Sequence, residues 1–190
     1  MMEIKKSPNY AVGTIPKIGF IIHGTLGNYE GAVQWLCTPP EKRTPVSYSS
    51  AHYVIAKDGR CTKLVEEKDV AWHAGTISNP MEYAKSVLPK TILGSYKNPN
   101  ESFIGIELEW FVGDVVTQAQ YDAVQSIIIG SKIANPIILC HKEVTDFKAD
   151  FTKVGGVYDP TVVDKIRSFS KPTLSRDEKK AQIIKLIQEL

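Results

Sequence analysis

The sequence predicts an α/β fold: a single domain with a central mixed β-sheet flanked by helices, plus an additional C-terminal helix. Three observations carry this. Apolar or β-rich runs alternate with helical segments along the chain, the order expected of a sheet with helices on its faces. Two β-rich runs flank Asp58-Gly59, a strong hairpin-turn dipeptide, so at least one strand pair is antiparallel. The length of 190 residues fits one domain able to bury roughly 70% of the surface of its unfolded chain.

The elements follow in order. KIGFIIHGT (17–25) is a short apolar run read as a buried strand, with His23 at its C-terminal end. NYEGAVQWLCT suits a helix with Ala32, Val33, Trp35 and Leu36 inward, and the Pro- and Ser-rich TPPEKRTPVSYSS reads as a loop. Residues 51–67 form the hairpin. VAWHAGT then brings His73 beside Trp72. Residues 77–101 hold three prolines and no single period, which reads as an irregular insertion, a wall of a cleft, with one short helix around 83–88. SFIGIELEWF alternates as a strand does, with Ile104, Ile106 and Leu108 on one face and Glu107 and Glu109 on the other. Thr117 and Gln120 make a capping box. The helix they open is expected to reach Ala134, with Tyr121, Val124, Ile127, Ile128 and Ile133 inward. NPIILCH is a second buried strand ending in His141. A further helix, with Ser175 and Glu178 as a second capping box, carries an apolar stripe of Ile183, Ile184, Ile187 and Leu190. It either docks on its own domain or supports self-association. The division expected is a catalytic domain over 1–170 and a helical extension over 171–190.

Composition narrows the partners. Lys and Arg number 23 against 21 Asp and Glu, a net charge of +2, too balanced for nucleic acid to be the main partner. Cys37, Cys61 and Cys140 are too few and scattered for a disulfide framework and form no CxxC pair, so buried or half-buried thiols are expected. The start MMEIKKSPNY is followed by no apolar signal-peptide core, and no run of about 18 apolar residues could span a membrane. Synthesis in the cytoplasm without a signal peptide is the expectation.

Chemistry concentrates on two of the four histidines, His23 and His141, both at ends of buried strands, where sites form in open α/β sheets. Asp150 follows His141 by nine residues, far enough for a loop to return its carboxylate. Two imidazoles and a carboxylate make a three-ligand set that leaves zinc a position for water or substrate. The rival reading is two structural histidines.

GFIIHGT, SAHYVIAKDGRCTKLVEEKDVAWHAG, IGIELE and LCHKEVTDFKAD occur in this order. Together they resemble the type-2 amidases, zinc-dependent N-acetylmuramoyl-L-alanine amidases that include phage lysozyme-like enzymes, cell-wall-recycling enzymes and peptidoglycan-recognition proteins. The resemblance spans roughly residues 15–155. It implies that His23, His141 and Asp150 bind zinc, that Glu107 is the catalytic glutamate, and that Lys148 is the family's lysine beside the last ligand. Phage lysozyme-like members place a tyrosine where Ala51 stands, so this chain follows the glutamate version.

Alternatives stay open within that set. Glu109 rivals Glu107 as base, and Asp146 is the fallback for Asp150. Glu143, Lys142 and Asp146 are expected to be solvent-facing. His73 and Trp72 are read as substrate-binding, with a packing role for His73 as the rival. His52 is expected to pack behind the site. The loop lacks the family's proline between histidine and lysine, and the Pro-Gly after the last ligand, so it is expected to be less rigidly set. The function expected is hydrolysis of the amide between N-acetylmuramic acid and L-alanine in peptidoglycan, as an endolysin-like lytic enzyme acting on the wall after release. The alternatives are a cytosolic enzyme recycling anhydro-muropeptides and a non-catalytic peptidoglycan-binding module.

Overall fold

The structure is a computed structural model that describes residues 2–169. The helix expected over 175–190, and any self-association through it, lie outside the described residues. Eight strands are present: β1 (Glu3–Ile4), β2 (Tyr10–Ala11), β3 (Gly19–Gly24), β4 (Tyr53–Ile55), β5 (Cys61–Lys63), β6 (Val70–Ala71), β7 (Phe103–Leu108) and β8 (Ile137–Cys140). The helices are α1 (Tyr29–Cys37), α2 (Glu82–Val87), α3 (Pro99–Ser102), α4 (Gln118–Gly130), α5 (His141–Val144) and α6 (Thr161–Phe169).

Six strands form one mixed sheet in the order β1-β5-β4-β7-β3-β8, and β2 pairs with β6 in a separate antiparallel ribbon. Only the hairpin pair β4–β5 is antiparallel within the large sheet. Central parallel strands are covered on both faces, which is why β3 and β8 read as apolar runs rather than alternating ones. On one face Phe20, Ile22, Ile104, Ile106, Leu108 and Ile138 meet Tyr121, Val124, Ile127 and Ile128 of α4 and Val163 and Ile166 of α6. On the other, Ile21, Phe103 and Leu139 meet Ala84, Leu88 and Val144, while Val54 packs with Tyr29, Val33 and Leu36 of α1.

Register sets up the site. His23 pairs with Glu107 across β3 and β7, and Ile22 pairs with Cys140 across β3 and β8. His141 is therefore the next residue in register, just past the end of β8. Because side chains alternate, His23, Glu107 and His141 fall on the face opposite α4. All three stand at carboxyl ends of parallel strands.

Several expectations need correction. The helix α4 has the capping box at Thr117 and Gln120, but it stops at Gly130, four residues early. Lys132 and Asn135 take left-handed backbone there (φ 59° and 49°) and turn the chain toward β8. Ile133 still packs against the core, from the turn rather than the helix. In α1, Tyr29, Val33 and Leu36 are the buried face, whereas Trp35 is 41% exposed. Residues 77–101 do contain the expected short helix, α2, but they do not wall the main cleft. They buttress the sheet instead: Ala84 and Leu88 pack on Leu139 and Val144, and the Met81 N–H donates to the Glu143 carbonyl at 2.8 Å. The two-residue strands β1, β2 and β6 are too short to show a period, and α6 is not among the expected elements.

Candidate metal centre and cleft

A cleft of about 530 Å³ opens where β3, β7 and β8 end. His23, His73, Glu107, His141, Lys148 and Asp150 all line it. Trp72 is half-buried and is not on its wall; its backbone N–H is held by the Ser50 hydroxyl at 2.9 Å.

The histidines form a directed chain. The Ala74 carbonyl can only accept, so His141 donates to it from Nε2 at 2.9 Å, leaving a lone pair on Nδ1. Likewise His73 donates from Nε2 to the Phe103 carbonyl at 3.3 Å, so its Nδ1 accepts from His23 Nε2 at 3.0 Å. That leaves a lone pair on His23 Nδ1 as well. These two bare nitrogens face each other at 2.9 Å. Two converging lone pairs repel unless a cation lies between them. A proton is a poor candidate, because burial holds both imidazoles below their usual pKa, His141 down to about 4 and His23 well below 6.5. Asp150 completes the set: its Oδ2 lies 3.7 Å from His141 Nδ1. One potential ligand atom from each of His23, His141 and Asp150 lies within 4.8 Å of the others. Two neutral imidazoles and a carboxylate, each already fixed by a hydrogen bond on its other side, are a donor set that suits zinc.

Surrounding groups hold these ligands in place. Gly24 N–H donates to Asp150 Oδ1 at 2.9 Å, anchoring the carboxylate to the end of β3. Burial raises the Asp150 carboxyl to about 6, against the pull of that N–H. Asn100 accepts from the backbone N–H groups of His73 and Ala74, at 2.9 and 2.8 Å, and so sets the segment that orients both histidines. Gly105 explains the glycine in IGIELE: a Cβ there would stand 2.3 Å from the His73 ring. His52 packs behind, its ring 5.7 Å from that of His73, accepting from Gly105 N–H at 2.9 Å and donating to the Asp69 carbonyl.

The loop from His141 to Asp150 is held without the prolines it lacks. Glu143, expected in solvent, is buried: it accepts from Cys140 N–H at 2.8 Å and pairs with Arg167 at 2.5 Å. Burial of this carboxylate is affordable because both partners are charged or directional. The Thr145 hydroxyl donates to the Thr76 carbonyl at 2.8 Å. Past the loop, Phe151 takes φ 54° and buries its ring against Trp110. Asp146 is exposed and accepts from Asn79, and neither it nor Lys142 lines the cleft.

Glu107 faces the ligands from β7. Burial, and then the neighbouring Asp150, raise its carboxyl to about 8, while the Lys148 cation opposes this. Glu109 is occupied elsewhere, accepting from Lys57 N–H at 2.9 Å outside the cleft. The three cysteines are free, Cys140 buried and the others half-buried.

The sequence profile of the N-acetylmuramoyl-L-alanine amidase family matches residues 16–150. The chain belongs to this family. The matched stretch ends on Asp150 and contains every cleft residue named above. An N-acetylmuramoyl-L-alanine amidase A from Achromobacter lyticus is 36% identical over 69 residues, a match covering 36% of this chain and 36% of that protein. The match thus spans about a third of the curated relative. Among solved structures, AmpD superposes with a TM-score of 0.62 at 21% identity, covering 90% of this chain and 94% of that one. PlyL gives 0.59 at 13%, covering 92% and 99%. An endolysin of a Thermus scotoductus bacteriophage gives 0.55 at 15%, covering 88% and 99%. At these identities the likeness concerns the fold.

Asn100 and Trp35 are additions to the residues that the sequence points to. Asn100 sits at the end of an aperiodic insertion, where nothing local marks it. For Trp35 the helical period is the signal: Tyr29, Val33 and Leu36 define the buried face, and at about 100° per residue Trp35 falls well off it.

Proposed function

We propose that this protein hydrolyses the amide bond between N-acetylmuramic acid and L-alanine in peptidoglycan, with zinc held by His23, His141 and Asp150. The observation that carries the reading is the pair of Nδ1 lone pairs converging at 2.9 Å beside a buried carboxylate, on a chain of this family. When bound, zinc supplies Lewis acidity, polarising the scissile carbonyl and lowering the pKa of water to about 7. Glu107 takes the proton of the attacking water and returns it to the leaving amine nitrogen of L-alanine. Its raised pKa suits both halves of that task near neutral pH. Lys148 faces the same space and neutralises the negative charge that develops on the carbonyl oxygen. His73 fixes the tautomer of His23 through their 3.0 Å hydrogen bond, and can reach substrate from the cleft wall.

The setting we favour is lytic, an endolysin-like enzyme acting on intact wall. The insertion at 77–101 is what favours it over a recycling role. Among the described residues no helix is long and apolar enough to cross a membrane.

Mass spectrometry of products from intact sacculi and from soluble anhydro-muropeptides, with and without chelator, tests the whole reading. Free stem peptide beginning at L-alanine, released from sacculi and lost on chelation, is expected. Cleavage of the soluble substrate alone would make this a recycling enzyme. Undiminished cleavage in strong chelator would remove zinc from the account.

A further inference from the structure

The cleft has a wall that the hydrolytic chemistry does not use. Besides the ligands, Thr25, Leu26, Asn28, Ala32, Trp35, Leu36 and Ser49 line the cleft, and none of these carries a charge. Every ionisable cleft residue sits on the strand-end side. Leu26 is 53% exposed and takes left-handed backbone (φ 51°), which turns an apolar side chain outward at the mouth.

Trp35 is the large flat surface of this wall, and it is fixed. Its indole Nε1 donates to the Ser49 hydroxyl at 3.2 Å. The Arg43 guanidinium lies 4.9 Å from the ring centre. Arg43 is itself buried and anchored: Nε donates to the Thr38 carbonyl, and Nη1 to both the carbonyl and the hydroxyl of Ser49, each at 2.9 Å. Its Nη2 finds no hydrogen-bond partner among the described residues. The indole face offers the electrostatic compensation instead. Arg43 is not on the cleft wall, so the face it covers is the protein side of the ring. Trp35 is 41% exposed and lines the cleft.

An aromatic ring flanked by aliphatic side chains, an amide and two hydroxyls, without charge, suits a neutral ring with C–H bonds on one side and polar groups at its edge. A pyranose has that character. The stem peptide does not: its carboxylates would meet no cation on this wall, whereas Lys148 stands on the other. We infer that the α1 wall is the saccharide subsite, with Trp35 as the platform on which the sugar ring next to the scissile amide stacks. The inference rests on the amidase reading for its placement beside the scissile bond, though not for saccharide binding itself.

Steady-state kinetics on two substrates that share the scissile amide tests it: N-acetylmuramoyl-L-Ala-D-isoGln, and lactoyl-L-Ala-D-isoGln, which lacks the ring. For Trp35→Leu, KM for the muramoyl substrate is expected to rise roughly tenfold, with kcat and zinc content unchanged. The lactoyl substrate should show no change. Trp35→Phe keeps a flat face and should recover most of the loss; it also serves if the leucine variant folds poorly. An equal rise on both substrates, or a fall confined to kcat, would overturn the platform, as would an unaltered KM. A second readout is independent of turnover: titration with N-acetylmuramic acid alone, followed by NMR. Binding that is lost in Trp35→Leu supports the subsite even if no muropeptide is cleaved, an outcome that would sink only the amidase reading. Cleavage with sugar binding indifferent to Trp35 would sink only the subsite.

Discussion

The two walls of the cleft are built by different means. The strand-end wall is buried and ionisable, and its groups are held in place: His23, His73 and His141 are each oriented by a ring hydrogen bond, and Asp150 is tied to Gly24. The α1 wall is neutral, and its large residues Leu26 and Trp35 stand 53% and 41% exposed. Strand ends in a hydrogen-bonded sheet can fix atoms closely enough for chemistry, because register leaves little freedom. A helix face and a loop offer area and shape instead, which suits recognition. The comparison teaches that substitutions on the first wall should act on metal and turnover, and those on the second on substrate affinity.

Five substitutions on the strand-end wall, in three groups, test that division. The largest effect belongs to the ligands. His141→Ala, or Asp150→Ala, should lower zinc from about one ion per chain to a small fraction and abolish turnover. Full zinc occupancy by elemental analysis in either variant would place the metal elsewhere.

Next comes the acid–base pair. Glu107→Gln should keep zinc and lose on the order of 10²–10⁴ in kcat; unchanged turnover would move the base to another group. The ionised carboxylate is the active form, so activity falls as pH drops through its pKa. Burial lifts that pKa to about 8, and the Lys148 charge lowers it. Bound zinc, also positive, acts in the same direction as the lysine. Lys148→Met should therefore cost roughly 10²–10³ in kcat and move the acid limb of kcat/KM to higher pH. A limb that stayed put or moved down would uncouple Lys148 from Glu107.

The smallest effect concerns support. Gly105→Ala puts a methyl 2.3 Å from the His73 ring, which is boxed in by His23 and His52. Overpacking of this kind should cost about 1–3 kcal/mol of stability, and disturbing a ligand's outer partner about 10–100-fold in zinc affinity. Thermal melts and a competitive chelator titration read the two separately. An intact melting temperature would mean that His73 has room to move, and that the strand-end wall is looser than its hydrogen bonds suggest.

Much of this molecule was legible in one dimension. The two buried strands, the hairpin at Asp58-Gly59 and the capped helix at Thr117 are local signals, written within a few residues by periodicity and turn chemistry. His23 and His141 at strand ends were readable for the same reason, with Asp150 within reach of His141, and family motifs added Glu107 and Lys148. The register His23↔Glu107, with His141 next in line, is a relation among residues up to 118 apart, and pairing alone sets it. The same holds for the lone pairs: which nitrogen of each histidine is bare depends on the Ala74 and Phe103 carbonyls. Glu143 reads as a solvent charge until Arg167 arrives from α6 to meet it. Trp35 reads as core until Arg43 and Ser49 hold it at the cleft. Pattern along the chain was enough for the main strands and helices and for the residues that carry reactive groups, because those depend on short-range sterics and periodicity. Only the tertiary structure decided which groups face one another and in what protonation state, because burial and hydrogen-bond direction exist only once distant segments have packed.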